Sequence, residues 1–338
     1  MTKKNFTISR KTEMIISLIA VAIFVVIPFL GASNYIIRTL TLIGIYGIMA
    51  LSLNVTVGYA GQVNMGHAAF VAIGGYAYAI MTTNIGDWNF WAGLLFAGVV
   101  TAIAGLLVGI PTLRLSDVYF VIATTGFSEV VKVITLNWMP VTNGSLGIRN
   151  IKRPTFFGIE LTNNNGGMYY LTLTLLGITV FICWAIKNSK LGRSLFALKD
   201  DELAAQLMGI HTGRQKVIAF VISSFLAGVS GVLYVCLNSF VGPDTFTADI
   251  STVILCIAIF GGLGSLKGMI VGAILLIAFP EVLRFLYTYK YIIYGLILIV
   301  LMRWRPSGIF GSRDRRPYVL PKGISFNRKQ GEITDENA

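Results

Sequence analysis

Gln62, Asn64 and His67 are the polar side chains of a stretch, Gly58 to Ile80 (GYAGQVNMGHAAFVAIGGYAYAI), in which Gly58, Gly61 and Gly66 separate two apolar runs. Uncharged donors and acceptors of this kind can mend interrupted helix backbone or touch a passing solute. Non-helical backbone inside a bilayer persists only where protein or a wet cavity covers it, because each unpaired peptide group in lipid costs several kcal/mol. His67 follows Gly66 at the opening of a helix pattern, and a lone histidine there reads as a hydrogen-bonded structural residue before it reads as a proton relay. Gly58, Gly61, Gln62, Asn64, Gly66 and His67 are therefore candidates for the lining of a translocation path.

A second group is an acid and a base in one apolar run. Glu129 lies about 18 Å along a helix from Asp117, and Lys132 follows at the i,i+3 spacing that lets the two pair. Intramembrane charges face a protein interior or a wet pathway, and a local partner favours structural pairing over solute contact. The third group, Asp200, Asp201 and Glu202, opens a short helix pattern, where acids gain from the N-terminal dipole. Leu203, Ala204, Leu207 and Met208 form an apolar stripe at helical spacing, and Gly209 can end the helix. The membrane domain, the lipid interface or a docking partner could cover that stripe.

Membrane helices must position these groups. Of 338 residues, 55% are hydrophobic and 12% charged, with a mean hydropathy of +0.75, which excludes an ordinary soluble domain. A spanning helix needs roughly 20 apolar residues. Runs near that length are Met14–Leu30, Tyr35–Val57, Gly66–Thr83, Phe90–Ile110, Val118–Asn137, Met168–Ile186, Val217–Leu237, Asp249–Gly262, Gly268–Tyr287 and Tyr289–Met302. The eighth and tenth are short enough to be re-entrant or half-helices. The expected fold is all-α and polytopic, with roughly 8–10 transmembrane helices, at least one of them broken by glycine.

The net charge of +12 is topology rather than a nucleic-acid footprint, because Lys and Arg gather in residues 1–13, 187–216 and 303–338. The positive-inside rule places these three segments, and so both termini, on the cytoplasmic side of a membrane domain spanning 14–302. The loop 138–167, rich in Asn and Gly, then becomes an external cap. Met14–Leu30 is too long for a signal h-region and lacks an A-x-A-like site, so it reads as a membrane helix.

Cys183, Cys236 and Cys256 are scattered without metal-ligand or disulfide-framework spacing. No Ser-His-Asp constellation or paired catalytic carboxylates emerge, so the chain does not read as an enzyme. There is no G-x-x-x-x-G-K-[ST] loop; in Gly261–Gly268 (GGLGSLKG) the lysine stands off that spacing. No cofactor is expected on this chain, and energy must come from another chain or an ion gradient. Gly58–Gly66 and Gly261–Gly268 are both glycine-rich breaks followed by runs rich in small residues, a pattern that two halves related by an axis along the membrane normal would give.

Ala197–Ile210 (ALKDDELAAQLMGI) resembles the EAA loop by which ABC-importer permeases dock on their ATPases, with Glu202, Ala204, Ala205 and Gly209 matching its acidic-alanine-glycine core. The acidic residue is displaced by one place from the strict triplet, a form similar to the branched-chain amino-acid permeases. Similar to that family too are GYAGQVNMGHAAF from Gly58, LRLSDVYFVIATTGFSEVVK from Leu113, Thr142–Ile148, and FGGLGSLKGMIVGA from Phe260. These segments, in this order, cover most of Gly58–Leu283 and point to the LivM-type subunit of the LivH/LivM permease family.

The resemblance implies an importer of branched-chain amino acids in the inner membrane of a prokaryote. Its partners would be a LivH-type second permease, two cytosolic ABC ATPase subunits that bind the ATP, and an external solute-binding protein. Asp200, Asp201, Glu202, Ala204, Ala205 and Gly209 become the ATPase-coupling residues. A urea or short-amide permease of the same machinery, and an ion-coupled secondary transporter, are the alternatives.

Overall fold

The computed structural model describes residues 28, 33–85, 89–112, 117–156, 159–162, 166–282, 292, 295–296, 299–300, 303–305 and 307–311. The expected helices Met14–Leu30 and Tyr289–Met302, apart from single positions, and most of the 1–13 and 303–338 segments lie outside these residues.

Helix α1 (Asn34–Leu53) runs on as a π-helical segment, Asn54–Tyr59, before the chain leaves helical geometry. Helix α2 (His67–Ile80) also ends in a π-helical segment, Met81–Ile85. Helices α3 (Phe90–Thr112) and α4 (Asp117–Asn137) follow, then a connection holding one helical turn, Met139–Thr142, and the short strands β1 (Ile148–Arg149), β2 (Thr155–Phe156) and β3 (Ile159–Glu160). Next come α5 (Gly167–Asn188), α6 (Lys190–Asp200), α7 (Glu202–Leu207) and α8 (Thr212–Asn238). Strand β4 (Phe240–Val241) precedes α9 (Ala248–Gly261) and α10 (Leu266–Val282).

Among the described residues six helical stretches are long and apolar enough to cross a membrane: 34–59, 90–111, 118–137, 167–188, 212–238 and 243–261. The eighth run, expected to be short, reaches that length because a 3-10 turn, Pro243–Thr245, leads into α9. Helices α2 and α10 are shorter apolar helices.

Helix α8 is the centre of the bundle, packed against α2, α3 and α1, while α1 also carries α5, α9 and α10. Small residues set this arrangement. A side chain at Gly74 of α2 would strike the backbone of Gly228 on α8, and one at Gly228 would strike Thr101 of α3. Lipid tails are as apolar as leucine, so membrane helices associate through such close backbone approach rather than through hydrophobic burial. Gly105 of α3 lies in the same way against Ser224 of α8.

The expected all-α character holds, with two small antiparallel ribbons added at one end of the bundle. Strand β1 pairs with β4, and β2 with β3. The first ribbon ties the connection after α4 to the segment before α9. Around it, Arg153 Nε donates to Ser239 Oγ at 3.3 Å and Arg38 to Asn238 Oδ1 at 3.0 Å. Helices α6 and α7 occupy the other end of the chain's path, between α5 and α8.

Candidate functional site

The site is built where the glycine break after α1 meets α6 and the break between α9 and α10. Asn54 is fully buried, and its Oδ1 accepts from Gly264 N at 2.8 Å. A side chain at Gly58 would collide with both Asn54 and the Gly264 amide, at 2.7 Å from the latter, so glycine is what lets the two breaks touch. Lys187 Nζ donates to Gly264 O at 3.1 Å, and Lys199 Nζ donates to Gly58 O at 2.8 Å. The ring of Phe196 on α6 packs on Tyr59, centroids 5.2 Å apart. Two interrupted helices are thus joined to each other and held by lysines from the end of α5 and from α6.

The chain turns at Gly61 with φ +77°, a left-handed conformation that glycine adopts without a steric penalty, against the Lys199 side chain. Beyond it the backbone is non-helical to Gly66, and the surrounding protein satisfies it. Asn64 Oδ1 accepts from Gly66 N at 2.9 Å, Thr124 Oγ1 from Met65 N at 3.4 Å, and Ser251 Oγ from Ala68 N at 2.9 Å. The first turn of α2 is therefore sealed by α4 and α9 rather than left open to an anion. His67 is fully buried, with Nε2 2.7 Å from Ser52 Oγ. The Ser52 hydroxyl also lies 2.7 Å from Met49 O. Gln62 is buried, and its Oε1 has no partner among the described residues, as is true of His67 Nδ1 and Asn54 Nδ2. The expected path residues are brought together, with Asn64 turned to its own backbone and Gln62 left unbonded at Oε1.

The acidic cluster is divided differently from expectation. Asp200 is the last residue of α6 rather than an opening residue of the next helix. Asp201 is the N-cap of α7, its Oδ1 accepting from Ala204 N at 3.0 Å. Glu202 faces α8, where its carboxylate oxygens lie 2.7 and 2.8 Å from Lys216 Nζ. The helix ends in a Schellman motif, with Gly209 N bonded to Gln206 O and Ile210 N to Ala205 O, and Gly209 at φ +80°. Ala205 is buried beneath it, whereas Ala204 is exposed. Leu203, Leu207 and Met208 are 67%, 82% and 82% exposed, so the apolar stripe is not covered by the chain itself.

The expected Glu129–Lys132 pair does not form. Lys132 Nζ instead contacts Asp244 Oδ1 at 2.9 Å, because the β1–β4 ribbon brings the segment before α9 over the end of α4. Glu129 is exposed on α4 and has no ion-pair partner among the described residues. Asn54, Lys187, Lys199, Lys216 and Asp244 were not singled out by their spacing. Asn54 alone leaves a sequence signal, an amide inside an apolar run; the lysines read as topology. Among the described residues no group of His, Cys, Asp and Glu could hold a metal, and the three cysteines are free and buried.

Comparison with known proteins places the chain among permeases. The chain is 34% identical over 334 residues to the high-affinity branched-chain amino acid transport system permease protein LivM of Salmonella typhimurium, covering 92% of this chain and 76% of that one. It is 36% identical over 305 residues to LivM of Escherichia coli, covering 83% and 71%. With the permease protein LivH of Escherichia coli it shares 26% over 318 residues, covering 84% and 96%. Residues 35–302, which hold both breaks, the α6–α7 segment and the small-residue helix contacts, match the model of one family, and this multi-pass membrane chain belongs to it: the branched-chain amino acid transport system / permease component family.

Proposed function

We propose that the chain is a membrane permease subunit of an ATP-driven importer that moves leucine, isoleucine and valine by alternating access. It pairs with a LivH-type permease, docks two cytosolic ABC ATPases and receives its solute from an external binding protein. The observation that carries this reading is the α7 helix. It is capped at both ends and anchored by Glu202 to α8, yet presents Leu203, Leu207 and Met208 outward, as a helix seated in a partner's groove would. Through α6 and Lys199 the same segment reaches the Gly58 break, so movement of α7 is felt by α1 and α2.

In this reading 189–211 and both termini are cytoplasmic, in line with their lysines and arginines, and the β1–β4 ribbon is external, where a binding protein would dock. The chain binds no ATP; hydrolysis belongs to the partner ATPases. The α4 face carrying Tyr119, Ile122, Val130 and Val133 is open along the helix and meets the second permease, with the solute path between them.

The complete transporter in proteoliposomes tests the assignment. ATP-dependent uptake of labelled leucine, competed by isoleucine and valine and insensitive to ionophore, is the expected result. Competition by urea instead would move the solute class to short amides. Uptake abolished by an ionophore despite ATP, with no ATPase subunit recovered, would replace the reading by ion-coupled transport. Replacing Glu202 and Gly209 together should weaken ATPase co-purification while leaving membrane insertion intact.

A further inference from the structure

We propose that the Glu129 carboxylate is a solute-binding group of the translocation path and takes the α-ammonium of the amino acid in transit; this rests on the importer reading above. Glu129 lies about 18 Å from the start of α4 and about 12 Å from its end at Asn137. A charged side chain at such a depth costs about 3 kcal/mol or more if it faces lipid, so an exposed carboxylate there faces protein or water. The base one turn away does not neutralise it by contact, because Lys132 is held by Asp244 at 2.9 Å.

The hydroxyl side chains in the middle of α4 are turned inward or bonded to the helix itself. Thr124 Oγ1 accepts from Met65 N, Thr135 Oγ1 donates to Lys132 O, and Ser128 is buried. Lys132 is turned to Asp244, and Glu129 is left as the carboxylate on the open face. One turn before it, Gly126 is also exposed and has nothing within 4 Å of where a Cβ would stand, leaving a notch beside the carboxylate. Ile122 and Val133 lie above and below on the same stripe and are exposed apolar residues. A carboxylate next to an empty notch, between aliphatic side chains, suits an ammonium group attached to a branched aliphatic skeleton.

The test uses the complete transporter in proteoliposomes. Glu129→Gln should lower leucine transported per ATP hydrolysed at least tenfold, with subunit composition and basal ATPase rate unchanged, and Glu129→Asp should restore most of it. In a Gly126→Cys background, a cationic methanethiosulfonate should label faster than an anionic one, and Glu129→Gln should erase that preference. Leucine should slow the labelling, and the α-hydroxy acid of the same skeleton should not. Wild-type transport in Glu129→Gln, or protection by the hydroxy acid equal to that by leucine, would overturn the proposal. Loss of the second permease on Glu129→Gln would also overturn it, assigning the carboxylate to an ion pair between subunits. Absence of ATP-driven leucine uptake by the unaltered transporter would instead remove the importer reading itself.

Discussion

Lys199 Nζ donates to the carbonyl oxygen of Gly58 across 2.8 Å, joining the segment that leads into α7 to the point where α1 loses its regular geometry. A π-helical segment leaves carbonyls without the usual i+4 donor, and here a charged side chain takes one of them. In the proposed coupling route, movement at α7 would reach this buried backbone.

Lys199→Met removes that bond. A hydrogen bond to a charged group contributes about 1.5–3 kcal/mol, so leucine uptake should fall about tenfold or more while the ATPases still co-purify. The ratio of leucine moved to ATP hydrolysed, measured in proteoliposomes, checks this; an unchanged ratio would take the bond out of the coupling route.

Lys216 is buried while Glu202 is half exposed, and both carboxylate oxygens reach the ammonium. Lys216→Met and Glu202→Gln should each weaken ATPase docking, and the double variant should be no worse than either single one. A double-mutant cycle on co-purified ATPase reads this coupling, and additive losses would mean that the two residues act separately.

Leu207→Asp or Met208→Asp places a charge on the open face of α7 without disturbing its caps. Each should abolish ATPase co-purification, while the detergent-purified membrane domain elutes as before. Retained ATPase would show that this face is not the docking surface.

Asn64 and Gln62 should separate cleanly. Asn64→Ala leaves the Gly66 amide unpaired, at a cost of about 1–3 kcal/mol, and should lower the thermal stability of the purified complex. Transport per folded complex should stay the same. Gln62→Ala removes an oxygen that bonds to nothing in the described residues, so stability should hold. Equal destabilisation by both would contradict the geometry.

The helices were legible because a bilayer demands long apolar runs, and α3, α4, α5 and α8 fall close to the expected Phe90–Ile110, Val118–Asn137, Met168–Ile186 and Val217–Leu237. The break was legible because Gly58, Gly61 and Gly66 interrupt such a run. The division at Asp200 was not, since Asp200 and Asp201 are the same residue type and only the backbone decides which one caps. The pairing of Glu129 with Lys132 failed because helical spacing counts neighbours on one element only.

By itself, then, the sequence determined the apolar helices, the glycine interruption and the short amphipathic helix with its acidic start and Gly209 end, because these follow from local pattern and from what lipid excludes. Tertiary structure decided who bonds to whom. It set Gly264 on Asn54, Lys199 on Gly58 and Asp244 on Lys132, contacts between residues 210, 141 and 112 positions apart. Such partners are chosen by the close approach of helices that Gly74 and Gly228 permit, and no local pattern carries that information.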